Sequence, residues 1–131
     1  MRAELIMIGT ELLLGEIVDT NAAFLARELA DLGIDVFFKS TVGDNFARAC
    51  EVLAKALERS DLVIISGGLG PTDDDLTREI VAEVTQSPLQ QNKEVLQELE
   101  NWFMERYGVL SMPTHNRKQA LFPNYLIYIF N

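Results

Sequence analysis

The chain has 131 residues, with 20 acidic and 11 basic side chains, a formal net charge of −9, one histidine, one cysteine and 48% hydrophobic residues. Such a length and apolar share permit one real core and argue against disorder, while the surplus of acids, spread over both halves, disfavours nucleic acid as a partner. Cys50 alone cannot form an intramolecular disulfide, no apolar run reaches the roughly 18 residues of a membrane span, and no secretion signal opens the chain, so a cytoplasmic protein without a membrane partner is expected.

Residues 3–8, Ala-Glu-Leu-Ile-Met-Ile, form a short apolar run ending at Gly9, the pattern of a strand buried on both faces of a parallel sheet. Asp19, Thr20 and Asn21 offer three N-caps for a helix carrying Leu25, Leu29 and Leu32 and stopped by Gly33. Residues 34–42 read as the second strand. Gly43-Asp44-Asn45 then punctuates the chain, with Asp44 or Asn45 as a credible cap for a helix whose apolar face is Ala49, Val52, Leu53, Ala56 and Leu57. Cys50 lies beside that face and reads as a packing residue. A third strand over 62–65 runs into Ser66-Gly67-Gly68-Leu69-Gly70-Pro71-Thr72. Leu76, Ile80, Val81 and Val84 mark the next helix, which the sequence predicts to open at Asp73-Asp74-Asp75, with Thr72 as its cap and Asp75 in a capping-box position. Pro88 ends it. Asn92 can cap a fourth helix that carries Val95, Leu96, Leu99 and Phe103 and closes near Gly108; Trp102, Phe103 and Tyr107 on it read as core or interface and not as a stacking platform. Residues 125–130 are apolar, aromatic and strand-prone, and must pair with the sheet or become a sticky edge through which copies of the chain associate.

Alternating strands and helices at this spacing build βαβ units, hence a mostly parallel sheet with helices on both faces, a three-layer α/β/α sandwich. Ligands in such folds bind at the carboxyl edge of the strands, where three loops leave the sheet: 9–15, 43–45 and 67–72. The glycines of 67–72 let backbone N–H groups approach a ligand, although the spacing fits neither the dinucleotide fingerprint nor a P-loop. Asp73 to Asp75 have two readings. Carboxylates in a first helical turn offset the helix dipole without any function, yet adjacent acids beside a glycine loop also suit a divalent cation that meets phosphate oxygens. Thr10, Glu11 and Asp44 stand at neighbouring strand ends, and Asn116-Arg117-Lys118-Gln119 supplies cations and amides that can meet phosphate or ribose or simply face solvent. His115 has no serine or cysteine nucleophile marked beside it.

Five separated motifs resemble the amino-terminal domain of the competence-damage-inducible CinA family. They are Gly9-Thr10-Glu11-Leu12-Leu13-Leu14-Gly15-Glu16, Asp19-Thr20-Asn21, Thr41-Val42-Gly43-Asp44, the segment 67–77 from Gly67-Gly68-Leu69-Gly70 through Asp75-Leu76-Thr77, and Asn116-Arg117-Lys118-Gln119-Ala120-Leu121. The resemblance covers residues 4 to about 123 and implies the fold of the molybdopterin-binding superfamily of MogA, MoaB and gephyrin-like proteins, in which a phosphorylated pterin binds at the carboxyl edge. It further implies that Gly67, Gly68 and Gly70 cradle the ligand and that Asp44 and Asp75 are the catalytic acids placed near phosphate and metal. Gly9, Thr10, Glu11, Thr72, Asn116, Arg117 and Lys118 complete the substrate contacts on the same basis. The family's known activity implies a divalent-metal-dependent pyrophosphatase, using Mg²⁺, Mn²⁺ or Co²⁺ with K⁺ as a further candidate, that hydrolyses ADP-ribose or a related dinucleotide. A non-catalytic module binding molybdopterin or a nucleotide is the alternative. Residues 1–131 are expected to form one such domain, shortened at its carboxyl terminus, since the family continues past Pro123 through a glycine- and proline-containing segment; no nicotinamide mononucleotide deamidase activity is expected.

Overall fold

Residues 3–8 are as apolar as a central strand requires, and they occupy the middle of a parallel sheet. In the computed structural model, which describes residues 1–124, β1 (Arg2–Ile8) lies between β2 (Asp35–Val42) and β3 (Leu62–Ser66). Its partners in register include Ile8 with Val42 and Met7 with Ser66, so the carboxyl ends of all three strands finish level. Residues 125–130, expected to pair with the sheet, lie outside the described residues. The chain divides into two compact units, Met1–Gly68 and Leu69–Asn131.

The first unit continues from β1 through a one-turn helix, α1 (Thr10–Leu13), into α2 (Thr20–Asp31), and reaches β3 by way of α3 (Phe46–Arg59). Of the three candidate caps for α2, Asp19 takes the role and accepts from the Ala22 N–H. Asn45 caps α3 by accepting from the Arg48 N–H, which leaves Asp44 for another purpose. Strand alternation sorts the core: Ala3, Leu5 and Met7 pack with Ala22 and Leu29 of α2, each such buried side chain of Leu or Met size contributing about 1.5–3 kcal/mol. Glu4 therefore faces the other side, where α3 lies, giving helix, sheet and helix in order.

That face holds a charged pair that the apolar run concealed. Glu4 is fully buried and receives two hydrogen bonds from Arg59 of α3, at 2.9 and 2.7 Å, and one from the Ser60 hydroxyl at 3.1 Å. The Arg59 guanidinium holds the Glu4 carboxyl below the usual value of 4.5, with Ser60 adding to Arg59 against the opposing effect of burial. Arg59 in turn lies 3.7 Å over the Phe38 ring of β2.

The second unit contains α4 (Thr77–Thr85), β4 (Leu89–Gln91), α5 (Lys93–Tyr107), a 3-10 helix (Thr114–Ala120) and β5 (Leu121–Pro123). β4 and β5 pair antiparallel, Leu89 opposite Pro123 and Gln91 opposite Leu121. Asn92 caps α5 as expected, accepting from the Val95 N–H, and its own N–H reaches the Ala120 carbonyl at 2.8 Å. Ile80, Val95, Met112 and Ala120 are buried here. The expected start of α4 is wrong by a turn. The helix begins at Thr77 after Leu76, with no side-chain cap, because Asp75 and Thr72 bond to one another in a tight turn ahead of it. No helix among the described residues is long and apolar enough to cross a membrane.

Candidate functional site

At the carboxyl edge of the first unit, Gly67 explains why the loop after β3 needs glycine. Its φ is +98°, and a Cβ there would run into the carbonyl of Ile8 at the end of β1. The β3 exit therefore lies directly against the β1 exit. Gly68 follows at φ +62°. On the other side of β1, Gly9 extends the ladder by donating to the Val42 carbonyl at 3.0 Å. The next residue, Thr10, is clasped by Asp44: the Thr10 N–H and hydroxyl both lie within hydrogen-bond distance of Asp44 Oδ2, at 3.1 and 2.8 Å, and the Asp44 N–H donates to Thr10 Oγ1 at 3.1 Å. Both bonds to the carboxylate fall on Oδ2, so Oδ1 carries none among the described residues.

Between these loops is a cavity of about 150 Å³ whose lining includes Ile8, Glu11, Asp19, Asn21, Ser66 and Gly67. Asn21 Nδ2 donates to the Ser66 hydroxyl across it at 3.4 Å. Asp19 Oδ2 is enclosed without a hydrogen bond, 3.6 Å from the Lys39 ammonium. Asp19, Asn21 and Ser66 are not among the site residues that the sequence singles out. Asp19 and Asn21 read there as caps and as part of the Asp19-Thr20-Asn21 motif, and Ser66 as the residue before the glycines, so the motif and the position at a strand or helix end are the signals available.

In the second unit, Asp75 clasps Thr72 as Asp44 clasps Thr10. Asp75 Oδ2 accepts from the Thr72 N–H at 2.9 Å and from its hydroxyl at 2.7 Å. A Cβ on Gly70 would approach Asp75 Oδ2 to 2.5 Å, so this glycine is needed for close approach. Burial acts to raise the Asp75 pKa, but the Thr72 hydroxyl and N–H, the Gly70 N–H and the Lys118 charge outweigh it and hold the carboxyl below its usual value of 3.8. Lys118, 46 residues along, donates to the Thr72 carbonyl at 2.8 Å and sits 3.4 Å from Glu79.

The other residues expected nearby have separate employment. Arg117 pairs with Glu100 of α5 at 3.1 Å, and Asn116, which is buried, donates from Nδ2 to Gln119 Oε1 at 3.0 Å. His115 is exposed. Arg78 in the first turn of α4 was not anticipated: only 8% exposed, it has Nε and Nη1 enclosed without a hydrogen bond, and its guanidinium lies 6.0 Å from the Phe122 ring. Burial lowers its pKa, against the pull of Glu79 and Asp75. Nothing in Asp75-Leu76-Thr77-Arg78-Glu79 distinguishes it from a solvent-facing helix residue.

Among the described residues no three His, Cys, Asp or Glu side chains group into a metal cage. The donors present instead suit an ion of the Mg²⁺ type, which takes one or two carboxylates and completes its shell with water and substrate phosphate.

The family described as "probable molybdopterin binding domain" matches residues 4–128. A CinA-like protein of Deinococcus radiodurans is 56% identical over 118 residues, covering 90% of this chain and 29% of that one. Among curated relatives matched at 57% and 51% identity, the chain spans 28% and 31% of their length. The crystal structure of CinA from Thermoplasma acidophilum, a protein of unknown function, superposes with a TM-score of 0.80 at 34% identity, covering 94% of this chain and 70% of that one. MoaB of Thermus thermophilus, a molybdopterin biosynthesis enzyme, has the same fold, with a TM-score of 0.63 at 20% identity over 92% of this chain and 72% of that one. A parallel β2-β1-β3 sheet, a glycine exit packed on the central strand and paired aspartate clasps thus belong to a chain that is a CinA-type member of the molybdopterin-binding domain family.

Proposed function

We propose that the chain is the hydrolytic domain of a divalent-metal-dependent pyrophosphatase acting on ADP-ribose or a related dinucleotide. The observation that carries this reading is the Thr72–Asp75 turn, in which a carboxylate held ionised lies beside a lysine and a glycine loop. Asp75 or Asp44 would hold the cation, and the cation, when bound, would polarise the pyrophosphate and lower the pKa of attacking water.

The chain's own residues do the rest. Asp75 stays charged at neutral pH because its hydrogen bonds favour the anion. Lys118, fixed on the Thr72 carbonyl, supplies positive charge where a phosphate oxygen would otherwise meet only acids. The backbone N–H groups of the glycine loop offer donors that carry no repelling charge. In the first unit, Thr10, its hydroxyl and N–H held by Asp44, keeps the loop after β1 in one conformation. Glu11, exposed and lining the first unit's cavity, offers a carboxylate that can accept from a ligand hydroxyl there.

The test is direct. Incubating the folded protein with ADP-ribose and Mg²⁺, Mn²⁺ or Co²⁺ should release AMP and ribose 5-phosphate above a no-enzyme control. Binding of ADP-ribose by calorimetry with no product under any of the three metals would replace this reading with that of a binding module.

A further inference from the structure

The 3-10 helix that brings Lys118 to the Thr72 turn has a second face. In a helix of three residues per turn, positions i and i+3 eclipse, so Asn116 and Gln119 share one side while Lys118 points to another. That side opens on a cavity of about 480 Å³ lined by Leu99, Trp102, Phe103, Tyr107, Asn116 and Gln119, within the roughly 300–1,000 Å³ of small-molecule sites.

Of the two readings for these rings, core does not hold for Trp102 and Tyr107, which are 51% and 59% exposed, and the rings hold one another: Trp102 meets Phe103 and Tyr107 edge-on at centroid distances of 5.2 and 5.6 Å. Spacing along α5 explains the cluster, since 103 and 107 are one turn apart and 102 flanks them. The two amides are equally specific. Asn116 Nδ2 donates to Gln119 Oε1, which leaves the Asn116 carbonyl as an acceptor and the Gln119 NH₂ as a donor, side by side at an aromatic wall. Asn116 is 7% exposed, so its amide is fixed in the cavity wall.

We infer that this cavity is a base-binding subsite, in which one face of a nucleobase stacks on the Tyr107 ring, the perpendicular Trp102 ring meets it edge-on, and its Watson–Crick or Hoogsteen edge pairs with Asn116 and Gln119. An adjacent donor and acceptor is what a base edge presents and what a paired amide reads, and aromatic side chains supply the stacking surface. A purely apolar occupant would use neither the remaining Asn116 acceptor nor the remaining Gln119 donor. The choice of adenine as the base rests on the nucleotide reading above; the subsite itself rests on the cavity.

Trp102 is the chain's single tryptophan, so its emission reports this site alone. The experiment titrates the full chain with adenosine, and separately with ribose 5-phosphate, without metal, following Trp102 fluorescence. Adenosine should quench it saturably and ribose 5-phosphate should not. Tyr107→Ala should weaken adenosine by about tenfold or more, in line with the loss of one stacking ring. Gln119→Glu, which keeps size and removes the donor, should weaken it similarly. The exposed position of Tyr107 leaves the core intact, and an unchanged thermal midpoint checks this. An unaltered Trp102 emission with adenosine, an equal response to ribose 5-phosphate, or wild-type binding by both variants would overturn the subsite. No metal or turnover enters the measurement, so quenching by adenosine in a protein that fails to hydrolyse ADP-ribose would uphold the subsite and reject only the pyrophosphatase.

Discussion

Two aspartates of this chain do the same chemistry at very different sequence range. Asp44 and Asp75 each direct Oδ2 at the N–H and hydroxyl of a threonine, with distances that agree within 0.2 Å (3.1 and 2.8 Å against 2.9 and 2.7 Å). Thr72 is three residues from Asp75, so that clasp needs only a local turn. Thr10 is 34 residues from Asp44, and their meeting depends on the register that sets Ile8 opposite Val42. The same motif is therefore a turn in one unit and a cross-strand tie in the other. Breaking the first should loosen one loop, whereas breaking the second should release two.

The largest expected effect separates backbone from side-chain constraints at the two glycine positions. Gly67→Ala drives a Cβ into the fixed Ile8 carbonyl at positive φ and should cost about 4 kcal/mol or more, read as loss of cooperative unfolding or a large drop in denaturant midpoint. Gly70→Ala meets only the Asp75 carboxylate, which can rotate away, and should cost about 1 kcal/mol while abolishing the Thr72 clasp. Equal losses would erase the distinction.

Next come the clasps themselves. Asp44→Ala should destabilise by about 2 kcal/mol and speed amide exchange at both Thr10 and Asp44, while Asp75→Ala should cost about 1 kcal/mol with faster exchange confined to residues 70–76. A local response to Asp44→Ala would show that β-sheet register alone fixes the Thr10 loop.

The smallest effect is in pH. The folded Asp75 pKa lies below its usual 3.8, so the clasp's contribution is complete above that value and fades as pH falls through the depressed folded one. Glu4 follows the same sign from 4.5 downward through Arg59. Nuclear magnetic resonance titration of Asp75 should give a low midpoint that rises in Lys118→Met; an unmoved midpoint would assign the depression to Thr72 and Gly70 alone.

Much of this was legible in the sequence where local rules dominate. The apolar run of β1, the Asn92 cap and the Gly108 stop follow from periodicity and capping chemistry, and the structure bears them out; of the two caps the sequence offers for α3, Asp44 and Asn45, it selects Asn45. Strands of three residues, such as β4 and β5, are too short to show a period, and neither was foreseen. The start of α4 was misplaced because the Thr72 and Asp75 side chains satisfy each other, a choice that competes with capping and leaves the same sequence signature. Glu4 hid within an apolar run because its partner, Arg59, is 55 residues away. The positions of Thr10, Asp44, Thr72, Asp75 and Lys118 were picked out by motif, but which of them touch is decided by long-range register and by the 46-residue reach of Lys118, which no local pattern encodes.

The most direct measurement is the rate of AMP and ribose 5-phosphate release from ADP-ribose with Mg²⁺, Mn²⁺ or Co²⁺, taken on the wild-type chain and on Asp75→Asn side by side. The wild type should yield product and the variant a rate lower by about 100-fold or more, the scale expected when a charge-stabilising group is removed from the reacting centre. Folded wild-type protein that yields no product with any of these metals, or an Asp75→Asn rate equal to that of an active wild type, would contradict a pyrophosphatase centred on Asp75.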